Sequence, residues 1–274
     1  MTAFENFTCG ALTTRWQAMG TGPAVALIHG VGGRLEDWDG VAGCLSGEFR
    51  LIRYDLRGLG QSSKLPGPYI VEDFADDLAA LLDHAGVAMC HVAGFSLGGL
   101  VAQSFAVRHA NKLKRLALLS TVAGRTDEER ARVLARLKVV QEGISGAHFE
   151  NSVGRWFTPE FQRDNPDIME YCADRNRSND PVGYAATYGV LATTDLQDDL
   201  HRIAAPTLVA TGEGDQGSNP RMARLMHAQI PNAELRILPN LRHSILIEAP
   251  DTVANLLREA FYSDIGLNSF QGGI

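Results

Sequence analysis

The chain has 274 residues, of which 45% are hydrophobic, and its formal net charge is −7. This length suits one large domain with an insertion, and the hydrophobic fraction is sufficient for a sizeable buried core. The negative charge argues against a nucleic-acid partner or an anionic membrane, because both bind basic surfaces.

The cysteines and the N-terminal sequence bear on the compartment. Cys9, Cys44, Cys90 and Cys172 lie far apart and include no C-x-x-C pair. This pattern disfavours a disulfide framework or a zinc cluster and favours a reducing compartment. The N-terminus has no basic segment followed by an apolar stretch, and no run approaches the length of a spanning helix. We therefore expect a cytoplasmic protein with no membrane partner and no metal.

Strands and helices alternate through the first part of the chain. Residues 7–19 are predicted to form a weak strand region or a hairpin. Continuous apolar runs predict buried parallel strands at 24–29, 49–55, 90–95 and 113–120. Helices are predicted at 71–85, from apolar residues at helical spacing, and at 97–109, almost directly after a strand. The alternation predicts a mostly parallel sheet with helices on both faces.

This alternation stops over residues 124–195, where the pattern is helical and polar. Helices are predicted there at 126–140, 147–156, 166–175 and 181–191. The alternation then resumes with strands at 206–211 and 233–238 and helices at 220–229 and 250–262. A helical block between two parallel strands indicates an insertion over the C-terminal edge of the sheet, where open α/β sheets bind ligands.

The sequence therefore predicts the α/β fold class with a helical insertion. The core comprises residues 1–123 and 196–262, and residues 124–195 form a lid segment. Residues 263–274 are small and polar, and they are predicted to be a flexible tail.

The strongest chemical signal is the run Gly-Phe-Ser-Leu-Gly-Gly, which begins at Gly94. It matches G-x-S-x-G, with a predicted strand running directly in and a predicted helix running directly out. Such a tight turn places the serine in a strained backbone conformation, and the glycines leave room where a Cβ would clash. Ser96 is therefore the predicted nucleophile, at the positive end of a helix dipole.

A serine hydroxyl needs a base, and His243 lies in a loop between the last strand and the last helix. A loop at this edge of the sheet is able to reach Ser96. His91 lies inside a strand, and His29 is expected to stabilise the loop that follows it. The other histidines lie on polar helical stretches and are predicted to be surface residues: His84, His109, His148, His201 and His227.

The base needs an acid to orient it, and Asp215 follows a predicted strand at the same edge. Glu213 is a nearby competitor, but Asp215 lies further into the loop. The alternative position, after the strand at 113–120, holds no carboxylate. The chain order Ser96, Asp215, His243 differs from the orders of chymotrypsin and subtilisin.

Acyl transfer also needs donors for the developing oxyanion. The N–H of Leu97, directly after the nucleophile, is one predicted donor, and the N–H of Val31, between glycines, is the other. The run from Asp55 to Ser62 half-matches a dinucleotide fingerprint, but Ser63 stands where the last glycine belongs. No P-loop and no H-E-x-x-H motif is present, so nucleotide hydrolysis and zinc chemistry are not indicated.

Taken together, these motifs resemble the α/β-hydrolase fold superfamily over nearly the whole chain outside the insertion. The resemblance implies an α/β-hydrolase fold and no cofactor. It also implies that Ser96, Asp215 and His243 are the nucleophile, acid and base, with Val31 and Leu97 as oxyanion donors. A serine rather than an aspartate at position 96 argues against a haloalkane dehalogenase or an epoxide hydrolase.

At finer grain the chain is similar to 3-oxoadipate enol-lactonases, through residues 156–161, 179–184 and 194–199. The resemblance implies a small carboxylated lactone, ester or amide from ring-compound breakdown. Acidic residues outnumber basic ones in the lid segment, so a local arginine would have to bind such a carboxylate, in a bidentate way. The candidate substrate-binding residues are Arg34, Arg155, Arg175, Arg177 and Trp156.

The sequence also allows other functions for the same fold and the same three residues. The same three residues could cleave an amide or a carbon–carbon bond, and a hydrolase-like receptor could bind a ligand without turnover. We expect a small-molecule substrate and a monomer or homodimer.

Overall fold

The computed structural model describes residues 3–142 and 149–262 of the chain. The predicted tail at 263–274 and the start of the helix predicted at 147–156 lie outside the described residues. Among the helices described, none is both long enough and apolar enough to cross a membrane.

Eight strands form one sheet in the described part of the chain. They are β1 (Glu5–Cys9), β2 (Leu12–Met19), β3 (Ala24–Ile28), β4 (Arg50–Tyr54), β5 (Cys90–Phe95), β6 (Leu113–Leu119), β7 (Thr207–Gly212) and β8 (Ala233–Leu238). Their order across the sheet is β1-β2-β4-β3-β5-β6-β7-β8. β1 and β2 form an antiparallel hairpin, β2 pairs antiparallel with β4, and the six remaining strands are parallel. The predicted mostly parallel sheet is confirmed.

Helices connect these strands and cover the sheet. They are α1 (Asp39–Leu45), α2 (Val71–His84), α3 (Leu97–Arg108), α4 (Asp127–Gln141), α5 (Val153–Trp156), α6 (Pro159–Asp164), α7 (Pro166–Arg177), α8 (Pro181–Thr193), α9 (Pro220–Gln229), α10 (Ile245–Glu248) and α11 (Pro250–Tyr262). Short 3-10 helices lie at Leu35–Trp38, Ala110–Lys112 and Gln197–Arg202.

The hydrophobic core has two layers, one on each face of the sheet. Along β3, Ala26 and Ile28 join the layer that includes residues of α2, α3 and α9, whereas Val25 and Leu27 join the layer that includes residues of α1 and α11. This division follows because successive side chains of a strand point to opposite faces. Since both faces are covered, the carboxyl ends of the parallel strands are left for a functional site.

The lid segment lies between β6 and β7 and contains helices α4 to α8. α4 begins with a capping box, in which Thr126 Oγ1 accepts from the N–H of Glu129 and the Glu129 carboxylate accepts from the N–H of Thr126 at 2.8 Å. Proline stands in the first turn of α6, α7 and α8, where its missing N–H costs nothing. α4 packs against α8 and buries Val133, Leu137 and Val140, which lie on one helical face.

Gly98 lies where α3 passes the end of β3. A Cβ on Gly98 would lie 2.3 Å from the carbonyl oxygen of Ile28 and 2.6 Å from that of His29. Because both neighbours are backbone atoms, Gly98→Ala is expected to lower the free energy of unfolding by about 1–3 kcal/mol. Urea unfolding measures this change.

Gly43 in α1 provides the matched control, because a Cβ there would meet no atom within 4 Å. Gly43→Ala is expected to leave the free energy of unfolding unchanged or to raise it by up to about 1 kcal/mol. Equal destabilisation by the two substitutions would contradict the close approach of α3 to β3.

Candidate active site

A cavity of about 570 Å³ lies between the carboxyl edge of the sheet and the lid segment. Its lining on the sheet side includes residues that follow four strands: Val31 after β3, Ser96 after β5, Asp215 after β7 and His243 after β8. Parallel strands end at one edge, so residues far apart in sequence meet there.

Ser96 lies at the turn between β5 and α3 and has the strained backbone angles φ 55° and ψ −117°. Two contacts hold this conformation: the N–H of Ser96 donates to the carbonyl of Leu119 at 2.9 Å, and Thr121 Oγ1 donates to the carbonyl of Ser96 at 2.7 Å. A Cβ on Gly94 would lie 2.1 Å from the carbonyl oxygen of Gly98, so the turn requires glycine at that position.

His243 lies between the other two polar side chains. Its Nε2 is 3.2 Å from Ser96 Oγ, and its Nδ1 is 2.7 Å from Asp215 Oδ2. The ring of Phe95 packs beside the imidazole, with the ring centroids 5.1 Å apart. The three predicted residues are thus brought together in the spatial order serine, histidine, aspartate.

Asp215 is almost fully buried and is held by several donors. Its Oδ1 accepts from the N–H groups of Gly217 and Ser218, each at 2.9 Å. Burial alone would raise the pKa of Asp215. The charge and hydrogen bond of His243 and the backbone N–H groups oppose burial, so the pKa lies below the usual value. The carboxylate is therefore charged at neutral pH, and it accepts a hydrogen bond from the N–H at Nδ1 of the histidine.

The loop after β3 approaches the serine closely. A Cβ on Gly30 would lie 3.1 Å from Cβ of Ser96. The next residue, Val31, lines the cavity, and no described residue accepts a hydrogen bond from its N–H. Leu97 is the first residue of α3, so its N–H has no acceptor one turn earlier in the helix. Both predicted oxyanion donors therefore have an N–H that is not used by the backbone.

His29 supports this loop from below. It is fully buried; its Nδ1 lies 2.8 Å from the carbonyl oxygen of Gly30, and its Nε2 accepts from the N–H of Leu56 at 3.0 Å. Asp55 is also fully buried, and its carboxylate accepts from the N–H groups of Leu35 and Gln61. The run from Asp55 to Ser62, which follows β4, therefore supports the β3 loop. This structural role agrees with its incomplete match to a dinucleotide motif.

Because His29 is buried, the stability of the fold depends on pH. Burial lowers the pKa of His29, and the charges of Asp55 and Asp37 oppose this only in part. The unfolded chain, with a histidine pKa of about 6.5, therefore binds a proton at acidic pH that the folded chain does not bind. The stabilisation is present above pH ~6.5 and is lost as the pH falls towards the folded pKa.

Below pH ~6.5, we expect the free energy of unfolding to fall more steeply with pH in wild-type protein than in His29→Gln. The difference should be about 1.4 kcal/mol per pH unit. Urea unfolding of both proteins at about pH 7.5 and 5.5 measures the slope. The slope is the informative quantity, because the substitution also changes stability at neutral pH. Identical slopes would contradict a neutral buried imidazole.

The residues predicted to bind substrate divide into two groups. Trp156, Arg155 and Arg175 line the cavity, whereas Arg34 and Arg177 are not among the lining residues. Arg177 is half-exposed and pairs with Asp174. Arg34 donates to Ser178 Oγ at 3.1 Å. The prediction that Arg34 and Arg177 bind substrate is therefore not supported by where the structure puts them.

Arg175 lines the cavity but already has a carboxylate partner. Its guanidinium pairs with Asp37, next to the β3 loop; Asp37 is buried and Arg175 is partly buried. Burial would lower the pKa of Arg175, but the charge of Asp37 and the smaller contributions of Cys172 and Tyr171 together raise it. This ion pair joins α7 of the lid segment to the core, so Arg175 has a structural partner and is not a free anion site.

Further contacts tie the lid segment to the loops that carry the site. Asn179 Nδ2 donates to the carbonyl of Gly32, the residue after Val31, at 3.0 Å. On the other side of the cavity, the N–H of Ser244, the residue after His243, donates to the carbonyl of Trp156 at 2.9 Å. The lid segment therefore holds the β3 loop and the histidine loop in place as well as covering the cavity.

Sequence reasoning missed several of these residues. Thr121 directly follows β6 and carries no carboxylate, yet its hydroxyl fixes the turn at Ser96. Phe95 and Asn179 carry no chemical signal in the sequence. Arg136 of α4 also lines the cavity and is spaced like any exposed helix residue. Within residues 3–142 and 149–262, no group of three His, Cys, Asp or Glu side chains is placed to hold a metal ion.

Comparison with known proteins agrees with this geometry. A family model described as alpha/beta hydrolase fold matches residues 23–250. The chain is 28% identical over 228 residues to 3-oxoadipate enol-lactonase 2 of Acinetobacter baylyi, covering 83% of this chain and 84% of that protein. It is 28% identical over 247 residues to (E)-2-((N-methylformamido)methylene)succinate hydrolase of the same organism, covering 88% and 91% of the two chains.

A solved structure gives the same result. The enol-lactonase from Burkholderia xenovorans superposes with a TM-score of 0.86 and 26% sequence identity, and the match covers 94% of this chain and 99% of that one. The likeness therefore includes the lid segment as well as the sheet.

Proposed function

The chain belongs to the α/β-hydrolase fold family, and we propose that it is a serine hydrolase that cleaves a small lactone or ester through an acyl-enzyme. Ser96 is the nucleophile, His243 the general base and acid, and Asp215 the carboxylate that orients the histidine. The N–H groups of Val31 and Leu97 stabilise the oxyanion. The proposal uses no metal and no cofactor.

In the first step, Ser96 Oγ attacks the carbonyl carbon while His243 Nε2 takes the hydroxyl proton. The charge that develops on the carbonyl oxygen is accepted by the two N–H groups. The carbon–oxygen bond of the ester or lactone then breaks, and the imidazolium gives its proton to the leaving oxygen. A lactone ring opens in this step, and its leaving oxygen stays attached to the acyl group.

In the second step, water attacks the ester formed with Ser96 while His243 takes a proton from the water. The bond between the carbonyl carbon and Ser96 Oγ breaks, and the imidazolium returns the proton to the serine. Asp215 stays ionised throughout and keeps the histidine in the tautomer that has a free Nε2.

One observation carries the proposal: His243 spans 3.2 Å to Ser96 Oγ and 2.7 Å to Asp215 Oδ2 at the floor of a covered cavity. Both distances lie within hydrogen-bond reach, so His243 is placed to take the proton of Ser96 while Asp215 orients its ring. The names of the relatives, a lactonase and a hydrolase of an amide-containing succinate, support hydrolysis of a small acyl compound.

Product analysis on a matched panel tests the choice of bond. The panel contains a lactone, an ester, an amide and a vinylogous diketone of similar size. We expect Ser96-dependent hydrolysis of the lactone and the ester, with smaller rates for the others. Faster cleavage of the amide or the diketone would replace the lactonase proposal by an amide or carbon–carbon hydrolase. Binding without turnover of any member would indicate a receptor.

A further inference from the structure

Arg242 directly precedes His243, and its side chain reaches across to the lid segment. Its Nη1 donates to the carbonyl of Phe157 at 3.2 Å and also donates to the carbonyl of Gly154. Both acceptors lie at the end of the short helix α5, where a helix leaves its last carbonyls without backbone donors of its own. A guanidinium suits such carbonyls, because arginine near a helix C-terminus donates to them readily.

Two further contacts join the histidine loop to residues 154–158, a segment that we call the lid corner. The N–H of Ser244 donates to the carbonyl of Trp156 at 2.9 Å. The Glu248 carboxylate accepts from the N–H of Thr158 at 3.3 Å and also accepts from its hydroxyl. The histidine loop is therefore bound to the lid corner on both sides of the histidine.

The backbone of Arg242 also lies against the loop that carries the aspartate. A Cβ on Gly212 would lie 2.2 Å from the carbonyl oxygen of Arg242. The N–H of Gly214 donates to the carbonyl of Leu241 at 2.9 Å. Arg242 therefore contacts the loop that leads to Asp215 through its backbone and the lid corner through its side chain.

The position of the histidine loop matters for the reaction because the contact with the serine is long. His243 Nε2 lies 3.2 Å from Ser96 Oγ, at the upper end of the range over which a base takes a proton. A misplacement of about 1 Å is enough to lower a rate about 10²-fold. Arg242 is not among the described residues that line the cavity, so its side chain is not placed to bind substrate.

We propose that Arg242 is a positioning residue for His243, which keeps the imidazole within reach of Ser96 by fixing the histidine loop to the lid corner. This inference rests on the proposed hydrolase function, because it concerns the base of the same reaction. Trp156 of the lid corner lines the cavity, so the contact also connects the wall that meets substrate to the histidine loop.

The rate at which a fluorophosphonate labels Ser96 measures how well the histidine activates the serine. Arg242→Met removes the donors and keeps an unbranched side chain, and it should lower the second-order labelling rate about 10- to 100-fold. Arg242→Lys should recover part of this rate, because an ammonium donates to a carbonyl although it lacks the planar fork. A wild-type labelling rate in Arg242→Met would overturn the proposal.

Arg236→Met is the matched control. Arg236 lies on β8, where it donates to the carbonyl of Leu235 at 3.3 Å and pairs with Glu234 at the surface. Its substitution also removes an arginine that contacts a backbone carbonyl, and it should leave the labelling rate unchanged. Equal losses in Arg236→Met and Arg242→Met would show that Arg242 has no specific role.

A double substitution separates positioning of the histidine from a general structural effect. Arg242→Met combined with His243→Ala should label at the rate of His243→Ala alone, because no imidazole remains to be positioned. A general disturbance of the cavity would instead slow labelling by the same factor with and without the imidazole. That result would contradict the proposal.

Amide hydrogen exchange tests the same contact without using activity. The N–H of Ser244, which the carbonyl of Trp156 accepts, should exchange about 10-fold faster or more in Arg242→Met than in Arg236→Met. Faster exchange supports the fixed histidine loop even if no fluorophosphonate reacts with wild-type protein, a failure that would count against the hydrolase function instead. Equal exchange rates overturn the inference even if Ser96 of wild-type protein is labelled as expected.

Discussion

Replacing Ser96 with alanine is expected to lower kcat/KM for ester hydrolysis by a factor on the order of 10⁴ or more. The alanine removes the only oxygen within reach of His243 Nε2 that could attack the substrate, among the side-chain contacts described for that atom. What remains is the stabilisation of the oxyanion and the binding of the substrate, which gives a small residual rate. Steady-state kinetics with a chromogenic ester measures the change.

Ser104 supplies the control for this substitution. It is a buried serine two turns further along α3. Ser104→Ala is expected to keep kcat/KM near the wild-type value, so any general effect of losing a buried hydroxyl is separated from loss of the nucleophile. If Ser96→Ala kept a rate similar to that of Ser104→Ala, the assignment of the nucleophile would be wrong.

Replacing Asp215 with asparagine is expected to lower kcat/KM by a factor on the order of 10⁴. The buried carboxylate accepts a hydrogen bond from the N–H at Nδ1 of His243, and it is charged because its pKa lies below the usual value. An asparagine that turns its amide NH₂ towards Nδ1 favours the tautomer with the proton on Nε2. That tautomer is unable to accept the proton of Ser96.

Glu213→Gln is the control for this second prediction. Glu213 lies in the same loop, was a competing acid in the sequence and is exposed in the structure. Its substitution should leave kcat/KM near the wild-type value. A larger loss from Glu213→Gln than from Asp215→Asn would assign the orienting role to the other carboxylate.

Much of the core fold was predictable because the buried strands are continuous apolar runs. β5 and β8 have the bounds predicted for them, and so do the helices Pro220–Gln229 and Pro250–Tyr262. The match over residues 23–250 confirms the family resemblance, and membership of this family, with relatives named as a lactonase and a hydrolase, identifies the chain as a hydrolase. These elements could be predicted because the local sequence pattern of each one agrees with its burial in the fold.

Other elements had no usable local signal. α1 contains Gly40 and Gly43, which have low helix propensity, yet it forms because Val41, Ala42 and Leu45 are buried against α11. α10 has four residues, too few for a periodic pattern. Here tertiary packing decides the structure, and a single sequence does not reveal it.

The same distinction applies to the site. The positions of Ser96, Asp215 and His243 could be predicted because each follows a recognisable strand at one edge of the sheet. The arginines that line the cavity could be predicted only in part, since the direction of each guanidinium depends on how the lid helices pack. Arg155 and Arg175 line the cavity as expected. Arg34 and Arg177 were expected in the cavity, whereas Arg136 lines it. The proposed division into core, lid segment and tail stays a prediction.

If His243 activates Ser96 for covalent attack, Ser96 should react with a fluorophosphonate, and mass spectrometry of the proteolytic peptides identifies the modified residue. We expect one modified peptide, which contains Ser96, and a labelling rate that falls by at least about 10²-fold in His243→Ala. Labelling of a different residue, or labelling of Ser96 at the same rate without the imidazole, would contradict it.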